Sequence, residues 1–322
     1  MLVDGVWTKD WDPVQAKDED GRFVRQVSSF RNWVTPDGAA GPTGEAGFAA
    51  EPGRYHLYIA LICPWAHRAY LTLKLKGLED VISLSIVEPA LTDQGWRFGD
   101  YPGSTGADDL LGATYMHEIY THSDPSFTGR ATVPVLWDKK TRRIVNNESA
   151  DIVKILNDAF NAFATNDIDL RPDDIVAEID ALSPRLYDAL NNGVYKSGFA
   201  STQGAYEEAV SGVFAMLDEL EARLGDGGPF LFGERLTESD IRLFVTLARF
   251  DAAYHGVFKC NIRRITDYPA LSTFLRGFVD FDPAIRETIS IDHIKAGYYS
   301  IKALNPNGVI PVGPAEPAFL TA

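Results

Sequence analysis

The sequence predicts an α/β domain followed by an all-helical one, and three observations carry that prediction. Between Tyr55 and Val87 a short strand-like run, a helical pattern and a second alternating apolar run follow one another, which is a βαβ unit. Next, "TVPVLW" and "RRIVN", joined across "DKKT", read as a hairpin, and "ESADIVKILNDAF" behind them reads as a helix. From Asp173 onward the texture is helical throughout. A chain of 322 residues is long enough for about two such domains.

Residues 1–53 are rich in Gly, Pro, Asp and Lys and predict an irregular arm. The first strand falls over Tyr55 to Leu61. The helix runs from Pro64 to Lys76, with Ala66, Ala69, Tyr70 and Leu73 on one face, and Gly77 stands where it should stop. The second strand covers Val81 to Val87, after which residues 88–129 form an insert where a further helix would lie. This order is that of a thioredoxin-like domain, placed at 54–165. The all-helical domain takes 166–303. There Ile175, Ile179, Leu182 and Leu186 share a face that Pro184 should break or kink, and Val210, Val213, Phe214, Leu217, Leu220 and Leu224 mark another helix. In "LTESDIRLFVTLARF", Thr237 and Asp240 predict a capping-box variant, worth roughly 1 kcal/mol to folding. A proline-rich tail fills 304–322.

Charge and composition exclude several functions. A net charge of −15 disfavours polyanions, so nucleic acid is not an expected partner. The first residues lack a basic flank with an apolar core, and no run of about 18 apolar residues occurs; a soluble cytoplasmic protein without a membrane role is expected. The two cysteines, Cys63 and Cys260, are too few for a disulfide framework and would stay reduced there. None of the six histidines pairs with another His or a Cys at ligand spacing, so no metal is expected.

Cys63 stands immediately before Pro64, a residue suited to the first position of a helix. The thiol therefore caps that helix or lies close to the cap, facing free amides and the positive end of the dipole, a setting that favours thiolate. A dithiol oxidoreductase would carry a second cysteine three residues on, where this chain has Ala66. Cys63 must then work alone, with a small molecule supplying the second thiol. Cys260 reads as a packed core thiol. Val133-Pro134 puts a proline at a strand entrance, and Glu148-Ser149 opens a helix, where amides and a hydroxyl can hold a carboxylate or simply cap.

With Cys63-Pro64-Trp65-Ala66, Val133-Pro134, Glu148-Ser149 and the Thr237 to Asp240 cap in this order, the chain resembles the glutathione transferase superfamily over about residues 50 to 300. The long arm, "CPWAHR", "DQGWRF", "ATVPVLWD", "NNESADI", "RFDAAYHGVFKCNIRRI" and "DHIKAGYY" together are similar to its xi class, the glutathionyl-hydroquinone reductases. The resemblance implies a thioredoxin-like N-terminal domain with an all-helical transferase C-terminal domain, a homodimer, glutathione as co-substrate and glutathionyl-hydroquinones as substrates. It further implies Cys63 as nucleophile and Tyr195 as the acid for the leaving carbon. Tyr254 and Tyr298, with Tyr299 as the alternative to the latter, would support the thiolate. Glutathione would be held by Trp96, by Arg130, Ala131, Thr132 and Val133 along its backbone, and by Glu148 with Ser149 at its γ-glutamyl end. On residue type alone Tyr195 is an ordinary ring of a helical domain, Trp96 a packing anchor and Arg130 a balance for local acids. Two rival functions share the framework: an omega-like thioltransferase or dehydroascorbate reductase, and a non-catalytic binding module of transferase fold.

Overall fold

The computed structural model describes residues 1–9, 16–314 and 317–321, so parts of the predicted arm and tail, at 10–15, 315–316 and 322, lie outside the described residues. The chain folds as two compact units. One holds residues 26–168 with the first residues up to Lys9, and the other holds residue 169 onward with the arm segment that ends at Arg25.

In the first unit a short hairpin of β1 (Leu2–Val3) and β2 (Val6–Trp7) precedes the main sheet. Strand β3 (Tyr55–Ile59) is buried at every residue, so both of its faces are covered and its sequence does not alternate. Helix α1 (Pro64–Leu75) follows, and β4 (Ser83–Ile86) returns parallel to β3. Gly77, at φ +61°, turns the chain out of α1, where a Cβ would meet the Thr165 hydroxyl. The predicted insert contains α2 (Met116–Ser123). Strands β5 (Val135–Asp138) and β6 (Arg143–Asn146) form the hairpin and α3 (Ser149–Asp158) closes the unit. The strand order is β4-β3-β5-β6, with β3 central and antiparallel to β5. Its register pairs Tyr55 with Asp138 and is pinned by a buried fork: Arg54 Nε and an Nη donate to the two Asp138 oxygens at 2.9 and 2.7 Å.

The second unit is helical. Helix α4 (Val176–Arg185) runs through Pro184 instead of breaking at it. Leu186–Asn191 is a wide π-type turn, with Asn192 N–H reaching Tyr187 O at 2.8 Å. Then come α5 (Gly193–Phe199), α6 (Gln203–Gly227) and α7 (Glu238–Arg249). A second wide turn, Phe250–Tyr254, ends with His255 N–H on Phe250 O. Helices α8 (Pro269–Phe281), α9 (Pro283–Glu287) and α10 (Ile291–Tyr299) complete the unit. Every residue of α7 is buried. At its start the Thr237 amide and hydroxyl both donate to Asp240 Oδ2 at 2.8 Å, while Leu231 N–H takes Oδ1. Among the described residues no helix is long and apolar enough to cross a membrane, and no three His, Cys, Asp or Glu side chains gather as metal ligands.

Candidate active site

Cys63 is the N-cap of α1. Its backbone is extended (φ −77°, ψ 118°), Pro64 follows at the first helical position, and Sγ accepts from the Ala66 amide at 3.5 Å. The first turn of α1 contains no acidic residue, so nothing there opposes negative charge on sulfur. Sγ also lies 3.6 Å from Val133 O, on the residue before the cis proline Pro134. The thiol is half-buried and thus reachable. Trp65 flanks it with its ring under the guanidinium of buried Arg68, 4.6 Å from the centroid.

The residues expected to hold glutathione lie in the same unit. Glu148 caps α3, accepting from Ala150 N–H at 3.1 Å, and Ser149 is the buried first residue of that helix. The other Glu148 oxygen accepts from Ser28 Oγ at 2.9 Å. Asn146 Oδ1 holds the Glu148 amide at 2.7 Å, and Asn147 joins Thr132 through one hydroxyl: Tyr120 OH donates to Thr132 O at 3.0 Å while accepting from Thr132 N–H and Asn147 Nδ2 at 3.1 Å. The segment leading to Val133 is thereby tied to the start of α3. Arg130, Ala131 and Thr132 are half-buried along that approach. Trp96, also half-buried, follows a tight turn at Thr92 to Gly95 that Trp7 braces through its indole N–H to Asp93 O, at 2.9 Å. Ser28 and Tyr120 carried no signal in the sequence, since each acts through a distant segment.

The second unit gathers the three predicted tyrosines. Tyr298 OH lies 2.7 Å from Tyr195 OH and 2.8 Å from Tyr254 OH. Tyr299 is not in this chain of hydroxyls; its oxygen lies 2.7 Å from where a Gly256 Cβ would be. Tyr254 and Tyr298 are buried and Tyr195 is half-buried. The arrangement that satisfies both buried hydroxyls has Tyr254 donating to Tyr298 and Tyr298 donating to Tyr195, which directs the Tyr195 hydrogen away from the other two. Burial pushes Tyr254 and Tyr298 well above the ordinary phenol range, and charge on Tyr195 pushes them further. Phe258 packs between the rings, 5.1 to 5.4 Å from the centroids of Tyr195, Tyr254 and Tyr298. A Cβ on Gly198 would stand 2.6 Å from Phe258 Cγ, so glycine there lets this ring in. Cys260 is fully buried and its thiol is pushed up to about 12, chiefly by that burial, as suits a core thiol. A cavity of about 600 Å³ in this unit, between Leu247, Arg264, Arg276 and Phe319, contains none of the predicted site residues.

A thioredoxin-type unit whose first helix opens on a cysteine, with an all-helical unit after it, is the architecture of a glutathione transferase. The sequence patterns of that family match both units: Glutathione S-transferase, N-terminal domain, at residues 62–159, and Glutathione S-transferase, C-terminal domain, at 203–277. The chain is 50% identical to glutathionyl-hydroquinone reductase YqjG of Escherichia coli, over 98% of this chain and 95% of that protein. It is 49% identical to glutathionyl-hydroquinone reductase PcpF of Sphingobium chlorophenolicum, over 98% and 97%. The glutathione-bound structure of YqjG superposes with a TM-score of 0.89 at 47% identity, over 98% of this chain and 96% of that one. The xi-class transferase of Natrialba magadii gives 0.90 at 40% identity, over 100% and 95%. The chain belongs to the xi class of the glutathione transferase family.

Proposed function

We propose that this protein reduces glutathionyl-hydroquinones to hydroquinones at the expense of glutathione, through a mixed disulfide on Cys63. The observation that carries the reading is a single half-buried thiol at the N-cap of α1, in a chain whose other cysteine is sealed in a core. With the chain's other cysteine sealed in a core, the thiol that resolves the mixed disulfide comes from solution.

The Cys63 thiolate attacks the glutathionyl sulfur, forming an S–S bond as the sulfur–carbon bond breaks. The electron pair left on the aromatic carbon takes the Tyr195 proton, and hydroquinone departs. A second glutathione attacks the mixed disulfide, its own proton going to the Tyr195 oxygen, so glutathione disulfide leaves and the Cys63 thiolate returns. Tyr298 and Tyr254 support Tyr195 through their hydroxyls. Glu148 and Ser149 hold the γ-glutamyl end; Trp96 and Arg130 to Val133 lie along the tripeptide, with Val133 pairing with its backbone. In the same reading the protein works as a cytoplasmic homodimer, which the resemblance to the class supports and light scattering of the purified protein tests.

The deciding experiment is turnover of a glutathionyl-hydroquinone panel with glutathione and identification of products. Hydroquinone and glutathione disulfide in equal amounts are expected. Reduction of simple mixed disulfides or dehydroascorbate, with the hydroquinone conjugates left intact, would establish the omega-like thioltransferase instead.

A further inference from the structure

Tyr195 has a neighbour that the hydroxyl chain does not account for. The guanidinium carbon of Arg25 lies 4.6 Å from the Tyr195 ring centroid and 5.3 Å from that of Phe23, and Arg25 Nε donates to Asn192 Oδ1 at 2.7 Å. Asn192 ends the wide turn that leads into α5, the helix of Tyr195.

Arg25 is brought there by a short hairpin of the arm. Val24 N–H donates to Ala16 O at 2.7 Å, Asp18 accepts from the amides of Asp20 and Arg22, and Gly21 turns at φ +84°. The hairpin is fastened to the start of α6: Ser201 N–H donates to Gly21 O at 3.1 Å, Thr202 Oγ1 to Asp20 O at 2.8 Å, and Arg22 pairs with Glu208 at 3.0 Å. A Cβ on Gly21 would stand 2.6 Å from Ser201 Oγ, so the contact is close. Phe23 then packs on Phe199, centroids 5.5 Å apart, and Arg25 comes to rest between the rings of Phe23 and Tyr195.

We propose that Arg25 is a positioning residue for proton transfer from Tyr195: its cation, fixed over the ring by Asn192 and Phe23, stabilises the phenolate formed when the proton leaves. The inference rests on Tyr195 being the acid that protonates the leaving carbon. Each electron pair and proton is as in the reaction above; Arg25 neither gives nor takes one. A guanidinium is suited to this because it stacks flat on an aromatic face and stays charged throughout the working range. Among the described residues the hydroxyl of Tyr298 faces Tyr195 and that of Tyr254 stands behind it, Arg249 acts by its charge on both of these, and Lys196, next to Tyr195 in α5, pairs with Asp188 of the preceding wide turn.

The test measures Arg25→Gln, Arg25→Lys, Tyr195→Phe and the Arg25→Gln, Tyr195→Phe double variant in three ways. In single turnover with a glutathionyl-hydroquinone, Arg25→Gln should slow hydroquinone release about 10-fold and Arg25→Lys by less. In an ultraviolet phenolate titration, the Tyr195 signal, identified by its loss in Tyr195→Phe, should move about one pH unit upward in Arg25→Gln, and the alkaline fall in rate should move with it. Mixed-disulfide formation between Cys63 and glutathione disulfide, which needs no carbon acid, should be unchanged. In the Tyr195→Phe background the arginine substitution should cost nothing further. A Tyr195 titration unmoved by Arg25→Gln, or a further loss in the double variant, overturns the role of Arg25 while a slow Tyr195→Phe keeps the acid. Full turnover by Tyr195→Phe overturns the acid itself, and Arg25 with it. Should Arg25→Gln fail to fold, Arg25→Lys decides alone: loss of the stacked plane with charge retained must slow release without altering disulfide formation.

Discussion

The two units hold the thiol and the phenol assigned to the proposed reaction by opposite means. In the first, Cys63 is placed by main chain: an extended N-cap, a proline that starts the helix, the Ala66 amide and the Val133 carbonyl. In the second, Tyr195 is placed by side chains drawn from α5, α10 and the wide turn after α7, whose hydroxyls and rings hold one another. The difference teaches where each site is tolerant. A thiol held by backbone survives replacement of most neighbouring side chains but not its own. A phenol held by side chains is exposed to every substitution in the cluster.

The largest expected effect tests the backbone-held half. Cys63→Ser should lower turnover by more than about 10⁴-fold, because an alkoxide cannot stand in for a thiolate in disulfide exchange. Cys260→Ser should keep most activity, and intact mass after treatment with glutathione disulfide should show one adduct, absent in Cys63→Ser. An adduct that persists in Cys63→Ser would move the nucleophile out of the first unit and erase the contrast.

Next comes Tyr195→Phe, which removes only a hydroxyl. Glutathionyl-hydroquinone turnover should fall about 10²- to 10⁴-fold, with Cys63 still exchanging normally with a simple disulfide. Equal slowing of both reactions would assign the hydroxyl to the thiol instead of to the carbon.

How much of this was legible follows from the same contrast. The Cys63 site is local in sequence: "CPWA" specifies cap, helix start and missing second thiol within four residues, and periodicity around it specified the βαβ unit. The tyrosines span more than 100 positions, and only the resemblance picked them out from a chain with 13 tyrosines. Between Tyr298 and Tyr299 the residues left the choice open, because both sit on one helix turn; the hydroxyl distances put Tyr298 in the cluster. Arg25 and Ser28 were hidden inside a segment read as irregular arm, since a polar strip without periodicity gives no sign of what it packs on. Pro184 was expected to break or kink its segment; α4 continues through it for one more residue and a wide turn follows directly.

A smaller effect probes glutathione affinity in the first unit. Glu148→Gln keeps shape and loses the charge expected to meet the γ-glutamyl amine, so KM for glutathione should rise about 10- to 100-fold with the single-turnover rate of Cys63 nearly preserved. A fall in that rate with KM unchanged would make Glu148 a cap only. In the second unit, Gly198→Ala should push Phe258 off the tyrosine rings and cost about 1–3 kcal/mol of stability. Calorimetry reads the loss, and release of hydroquinone should suffer more than disulfide exchange.

The smallest expected effect separates the units by pH. His56, on β3, is almost fully buried; its Nδ1 lies 2.8 Å from Ser83 Oγ, and its Nε2 has no hydrogen-bond partner among the described residues. Burial pulls the imidazole down to about 4, with the Lys139 charge adding to the shift and Asp108 opposing it. In the unfolded chain the same ring titrates near about 6.5. Above that value both states are neutral and the full stability is present. As pH falls from about 6.5 to about 4 the unfolded chain binds a proton that the folded unit refuses, so stability drops, by about 3 kcal/mol at most. The protection of β3 and β4 amides, taken relative to the intrinsic exchange rate at each pH, should therefore fall over that window, and His56→Gln should flatten the slope whatever it does to the stability at neutral pH. Amides of α6 and α7 in the other unit should keep their dependence in the variant. Loss of the slope in both units at once would mean that they unfold as one cooperative body, and the contrast between them would then hold for chemistry but not for stability.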